Sequence, residues 1–413
     1  MRRICLYLTV MLLAAVWSWT VAGATDWPQW RGPNRDGHVT DVVLPGTWPK
    51  ALKEDWKVTV GIGHSSPVMA DGRIYIFARQ GDDEVLLCLD ATKGSEIWRS
   101  ANPAAYTMHP AALGHGKGPK STPVVSNGAV YTFGITGVLS AHDARTGKVK
   151  WRQEFSRQYP NTSPLYGTAM SPMIESGVLL AHVGGQDKGA LIALASETGA
   201  VKWKNETDGP AYSSPIVVTL AGVRQVVTFM QKDVVGVDFA TGKLLWRIPA
   251  KSGYDTNSVT PVLYRDMLIV GREDQGLTAF RLTKSGSELA PREVWSNKEN
   301  ELYLNSPVLD GNQLIGFSVR NKGQVFSIDA DTGKTLWQSP GRLGENAAVL
   351  NLAGKAMLFL TNDANLILQP TGAKSYAPAV QYTVATSQTW AHPLVFGNRI
   401  LVKDDSTLRS LAF

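Results

Sequence analysis

Short stretches in which apolar and polar residues alternate, such as residues 73–77 and 129–133, recur along the chain and are separated by turns of Gly, Asn and Asp. Alternation at period two predicts strands, and the three-to-four-residue spacing of an amphipathic helix is absent. The strands fall into a larger repeat. A residue preceding Pro and an apolar residue recurs in Ser66-Pro67-Val68, Thr122-Pro123-Val124, Ser171-Pro172-Met173, Ser214-Pro215-Ile216, Thr260-Pro261-Val262, Ser306-Pro307-Val308 and His392-Pro393-Leu394. The gap of 86 residues between Pro307 and Pro393 is about twice the spacing of the others, and Ala347-Ala348-Val349 fills the missing slot. That makes eight units. A period of 41 to 56 residues with about four strands is the pattern of a β-propeller blade, which buries its faces only by stacking on neighbours.

A second marker is a turn ending in tryptophan. Asp143, Thr146, Gly147 and Trp151 share their spacing with Asp238, Thr241, Gly242 and Trp246 and with Asp329, Thr332, Gly333 and Trp337. Looser copies end at Trp98, Trp203 and Trp295. Gly supplies a backbone position that tolerates positive φ, while the Asp carboxylate and Thr hydroxyl can accept from turn amides. Each Trp, with Trp56 ahead of the first complete unit, is expected on an outermost strand, wedged between blades with its N–H on a carbonyl. Repetition marks these residues, the three Asp included, as packing devices rather than catalytic acids.

Spacing also predicts how the ring closes. Pro-to-Trp distances run from 28 to 34 residues, but only 20 residues follow Pro393, so the last unit lacks its fourth strand. Trp56 precedes Pro67 by 11 residues, the interval from Trp337 to Ala348. Residues 52–60 are therefore an orphan outer strand, expected to complete the last blade and join the two ends of the chain.

Composition places the chain among folded, exported proteins. Of 413 residues, 44% are hydrophobic and 18% charged, which suits a large core and not a disordered chain. Arg2 and Arg3, the apolar stretch 4–19 and the small residues Ala22-Gly23-Ala24 read as a signal peptide over residues 1–24. An uncleaved anchor is the alternative, against which stands an apolar stretch shorter than the ~20 residues a span needs. No later segment could span a membrane. The mature chain is expected in the periplasm or secreted, as a monomer. It keeps Cys88 but no second cysteine, so it forms no internal disulfide. A net charge of +6 without basic runs interleaved with aromatics predicts no nucleic-acid partner.

The Asp-Ala-x-Thr-Gly turns, their tryptophans and the Ser-Pro-Val strands resemble the tryptophan-docked repeats of the pyrroloquinoline quinone (PQQ) propeller superfamily. The resemblance spans residues 51–413 and implies eight blades of four antiparallel strands. It leaves function open, because the superfamily includes quinoprotein alcohol and sugar dehydrogenases as well as a non-catalytic lipoprotein of the outer-membrane β-barrel assembly machinery. The Trp27, Trp30, Arg31, Arg35 and Gly37 segment resembles the opening of exported bacterial PQQ-like proteins, and residues 25–50 are expected as a collar on the propeller. The dehydrogenases carry a vicinal cysteine pair, a Trp beneath the quinone, Ca2+ ligands and a catalytic Asp. None of these maps here except Trp390 as a stacking platform, for which packing beside the last Pro marker is the competing reading. No cofactor and no metal are expected, with PQQ and Ca2+ as the alternative.

In a four-stranded blade, the loop leading into the innermost strand and the loop joining the second and third strands converge at one mouth of the channel. Those loops carry His64, Arg79, Lys120, Tyr166, His182, Tyr212, Asn257, Arg272, Glu273, Asn305, Arg320, Glu345, Asn346, Asp363, His392 and Lys403. The long loop 101–120 adds His109 and His115 and could cover part of the mouth. These side chains form either a solvated polar rim or a pocket for an anionic or polyhydroxylated ligand. Three functions follow: a scaffold that binds a protein or ligand, an enzyme acting on carbohydrate or another polar substrate, and a PQQ-dependent dehydrogenase.

Overall fold

The repeat positions become strand starts. A computed structural model describes residues 26–253, 255–286 and 288–413, so the signal-peptide assignment lies outside the described residues. Those residues form eight four-stranded antiparallel sheets arranged as an eight-bladed propeller. Blade 1 comprises Val68–Ala70, Arg73–Gln80, Asp83–Asp90 and Glu96–Pro103, running from the channel outward, and later blades repeat this order. Blades 2 to 7 begin at Val124, Met173, Ile216, Val262, Val308 and Ala347, and blade 8 at Leu394. Second strands are buried on both faces, as in Val178–Gly185, because blades stack against each of them. Outer strands such as Val201–Asn205 alternate instead, with one face on the neighbouring blade and one in solvent.

The ring closes as the spacing requires. Lys53–Thr59 pairs antiparallel with Thr407–Ala412, from Lys53 opposite Ala412 to Thr59 opposite Thr407, and forms the outer strand of blade 8. In the turns, Asp143 Oδ1 accepts from the amides of Arg145 and Thr146 and from the Thr146 hydroxyl, at 3.1, 2.8 and 2.7 Å. Asp238 and Asp329 repeat this arrangement to within 0.1 Å.

Trp151 donates its indole N–H to Ser196 O of blade 3 at 2.8 Å, and its ring lies over Gly199, where a Cβ would approach it to 2.9 Å. Trp98, Trp203, Trp295 and Trp337 reach the carbonyls of Ala144, Phe239, Ala330 and Ala373 in the next blade. Two tryptophans depart from the expectation. Trp56 rests on Gly94, but its N–H has no partner among the described residues. Trp246 donates to Gln225 within its own blade at 2.5 Å and packs on Gly236. Its neighbour explains why: blade 5 replaces the Thr-Gly turn with the long hairpin Gly276–Ser285 and Glu288–Asn297, whose Leu282 and Leu289 join the apolar cluster around Trp246.

The Pro marker also has a physical role. The amides of Ser66, Thr122 and Ser171 donate to the hydroxyls of Thr122, Ser171 and Ser214, each one blade further on. Thr260 donates to Ser306, and His392 to Ser66 across the closing seam. These bonds form a partial belt around the channel, at five of the eight seams among the described residues, satisfying buried amides while joining adjacent blades. Among the described residues, no helix is long and apolar enough to cross a membrane.

Candidate functional site

Of residues 25–50, anticipated as a collar on the propeller, 27–42 lie inside the ring of innermost strands. Trp27 exchanges two backbone hydrogen bonds with Met69 of blade 1, and Pro28 O accepts from Val125 of blade 2. His38–Val39 adds a parallel strand to the channel edge of blade 7, and Val43 bonds Gly397 of blade 8. Two buried arginines fix the tip. Arg31 donates to Pro307 O of blade 6 at 2.6 Å, and Arg35 to Ser171 O and Pro172 O of blade 3 at 3.0 and 3.1 Å. Both guanidinium groups lie within 6 Å of the Trp30 ring. Burial lowers their pKa values to about 10 and about 9, so both remain charged at neutral pH; carbonyls meet their terminal N–H groups, while each Nε has no partner among the described residues. The segment thus plugs the channel and presents Trp30 at its mouth.

Above Trp30 is a cavity of about 170 Å³. His64, His115, Tyr166, Tyr212, Tyr303, Trp390 and His392 supply rings to its lining, and Ser66, Thr122, Ser171 and Ser214 of the belt supply hydroxyls. Trp30 meets His392 edge-on at 5.4 Å, while Trp390 stacks on His64 at 5.7 Å. His115 and Tyr166 continue the wall at 5.5 Å, followed by Tyr166 and Tyr212 at 5.9 Å. Lys120 is the cation of this lining, which contains no acid among the described residues.

Electrostatics follow from this enclosure. Burial, reinforced by Lys120, lowers His64 to a pKa of about 3, and burial brings His392 to about 3 as well, so both rings are neutral. Burial also lowers Lys120 to about 8, with Glu84 opposing the shift. The cavity opens into a wider vestibule of about 700 Å³ that carries Lys322, Arg342, Glu345 and Asp363.

The structure brings together His64, Lys120, Tyr166, Tyr212, Asn346 and His392 from the anticipated set, with Glu345 and Asp363 in the vestibule. Glu273 is next to the cavity and accepts from the hydroxyl of its lining residue Thr256. The others lie elsewhere. Arg79 turns inward to Ala104 O and Lys117 O, clamping the two ends of the mouth loop. His182 is buried in blade 3 with neither ring nitrogen partnered among the described residues, and burial alone lowers its pKa to about 3. Asn257 ties the carbonyls of Met230, Gln231 and Ala250 together, and Lys403 ties those of Gly63, Asp404 and Asp405. Arg272 donates to Pro249 O and Thr278, Arg320 faces Glu301 in solvent, and Asn305 is buried away from the cavity.

Sequence reasoning missed Trp30, whose position depends on contacts hundreds of residues away, and Tyr303. It also favoured packing for Trp390, whose ring instead lines the cavity.

The lining can be set against what PQQ requires. Calcium beside a quinone needs several oxygen ligands, carboxylates among them, and the cavity offers hydroxyls, one amide and an amine without an acid. Among the described residues, no cluster of three His, Cys, Asp or Glu side chains could hold a metal ion. The residues do not fit a Ca2+–PQQ pair.

Comparison with known proteins adds the family. The chain is 24% identical over 393 residues to outer membrane protein assembly factor BamB of Yersinia pestis, covering 88% of this chain and 90% of that one. It is 27% identical over 248 residues to quinohemoprotein alcohol dehydrogenase ADH IIB of Pseudomonas putida, covering 54% of this chain and 34% of the enzyme. Among solved structures, BamB of Moraxella catarrhalis superposes with a TM-score of 0.61 at 16% identity, covering 88% of this chain and 98% of its own. Quinohemoprotein alcohol dehydrogenase of Comamonas testosteroni gives 0.65 at 15% identity, with 94% and 80% covered. These two likenesses show the fold. Residues 82–339 match the PQQ-repeat family described as outer membrane protein assembly factor BamB, and the chain belongs to that family.

Proposed function

We propose that this chain is an exported, protein-binding scaffold of outer-membrane protein assembly, working in the periplasm without a quinone. The observation that carries this reading is the extent of the match: the Yersinia pestis assembly factor aligns with 88% of this chain and 90% of its own length, so the likeness takes in nearly the whole propeller. The enzyme relative shares 34% of its length. The site is in keeping with the reading. The plug fills the channel, and the mouth-side loops expose Ile62 and Leu113, Leu113 at 63%. The cavity lining, hydroxyls and one amine without a carboxylate pair, gives no support to a glycoside-cleaving enzyme.

Photocrosslinking amino acids placed at Leu113 and Ile62 in cells of the source organism test the proposal. It expects crosslinks to proteins of the outer-membrane assembly machinery, together with lowered outer-membrane β-barrel protein levels when the gene is deleted. Unchanged levels with no crosslink from either position would contradict it.

A further inference from the structure

Lys120 stands out as a recessed cation with no carboxylate in contact among the described residues. Its ammonium donates to Gly116 O at 3.2 Å and forms no ion pair among the described residues. The nearby carboxylate, Glu84, accepts from the amide of Ile135 at 2.7 Å and acts on Lys120 through space without forming an ion pair with it. An ammonium has three donors, so two N–H groups remain for the cavity. A buried charge of this kind is costly unless an anion meets it.

The rest of the lining selects the remainder of the ligand. Trp30, Tyr166, Tyr212, Tyr303 and Trp390 form walls whose rings favour stacked or edge-on aromatic neighbours. A cavity of about 170 Å³ is close to the ~150 Å³ that accommodates one benzene ring in an apolar site. Asn346, 8% exposed, leaves its side-chain oxygen unpartnered among the described residues and can accept from a ring hydroxyl or amine.

The geometry points to the mouth cavity as a binding site for a small aromatic carboxylate, its ring against the aromatic wall and its carboxylate on Lys120. The inference stands on the cavity and not on the scaffold reading, so either can fail alone. Binding needs the charged lysine. Lys120 has a pKa of about 8 in the free protein, so affinity is constant below that pH as long as the ligand's carboxyl stays ionised, and falls about tenfold per unit above it, until the raised pKa of the bound form is reached. The histidines facing it do not mimic this profile. His64 is held near pKa 3, and His115 is lowered by burial and by Lys120, so both are neutral before Lys120 titrates. Lys403, also near pKa 8, titrates in the same range but spends its ammonium on the carbonyls of Gly63, Asp404 and Asp405 and does not line the cavity, so the pH series is read beside Lys120→Met, in which any dependence left belongs to Lys403.

Calorimetric titration of the mature protein with benzoate, checked by tryptophan fluorescence, is the test, with cyclohexanecarboxylate and benzylamine as comparators. Benzoate is expected to bind, cyclohexanecarboxylate more weakly, and benzylamine not at all. Lys120→Met should weaken benzoate by about ten- to a hundredfold, the worth of a charged hydrogen bond, while its melting temperature stays that of the parent. Should the variant fold poorly, the pH series on the unaltered protein probes the same contact. No binding of benzoate at millimolar concentration, benzylamine binding as tightly, or affinity that ignores pH from 7 to 10 would overturn the proposal.

Discussion

The rim and the channel of this propeller are built in opposite ways. At the rim one device recurs: a Trp from one blade lies over a turn Gly of the next and bonds a carbonyl there, as Trp98, Trp151, Trp203 and Trp295 do. Inside the channel, within the belt of Ser and Thr hydrogen bonds, the plug itself has no repeat. A single segment reaches six blades by six different contacts, ending in Arg31, Arg35 and Trp30. Repeated parts hold the fold, and single-copy parts shape the mouth where a ligand can be recognised.

The largest expected effect comes from removing both systems at one end. Deleting residues 25–60 takes away the plug and the outer strand of blade 8, leaving Thr407–Ala412 as an unpaired edge. The truncated chain should lose its cooperative thermal transition. A melt like that of the full mature protein would show that neither closure nor plug matters to stability.

Next in size is the rim device itself. Trp151→Ala removes a ring packed across the seam and should cost on the order of 3 to 5 kcal/mol in chemical denaturation. A near-zero change would mean that seam stability lies elsewhere. The Gly beneath the ring can then be separated from the turn it serves. Gly199 and Gly222 have φ values of +71° and +75°, but a Cβ at Gly222 meets nothing within 4 Å. Gly222→Ala should cost about 1 to 2 kcal/mol from backbone strain alone, and Gly199→Ala about 1 to 3 kcal/mol more because the Trp151 ring must move. Equal costs for the two variants would show that the close approach of ring to glycine contributes nothing.

This contrast also decides what could be read from the sequence. The Asp-Thr-Gly turns, the Pro slots and the orphan strand at Trp56 were legible because each is a spacing, and spacing survives without coordinates. Blade 7 shows the limit. Its outer strand has no Trp, and Tyr382 does the docking instead, donating its hydroxyl to Pro49 O at 2.7 Å. Trp246 shows another: its sequence turn matches the rest, but the partner turn that would receive it was replaced by the hairpin of blade 5. At the mouth, loop membership found His64, Lys120, Tyr166, Tyr212, Asn346 and His392, but not the direction of each side chain. Arg79, Asn257 and Lys403 sit on the same loops and turn inward to carbonyls. Trp30 was out of reach because its place depends on Arg31 meeting Pro307, 276 residues away.

The plugged channel is the claim on which the mouth cavity rests, since Trp30 is part of its wall. Hydrogen–deuterium exchange of residues 27–43 in the mature protein tests it most directly. The amides of Trp27, Gly37 and Val43 are bonded inside the ring, and Gly37 O and Val39 O accept from Asn351 and Ala353 of blade 7. Their exchange should be as slow as that of the neighbouring innermost strand Ala347–Leu352. Exchange across residues 27–43 at the rate of a free chain terminus would contradict it and leave the channel open.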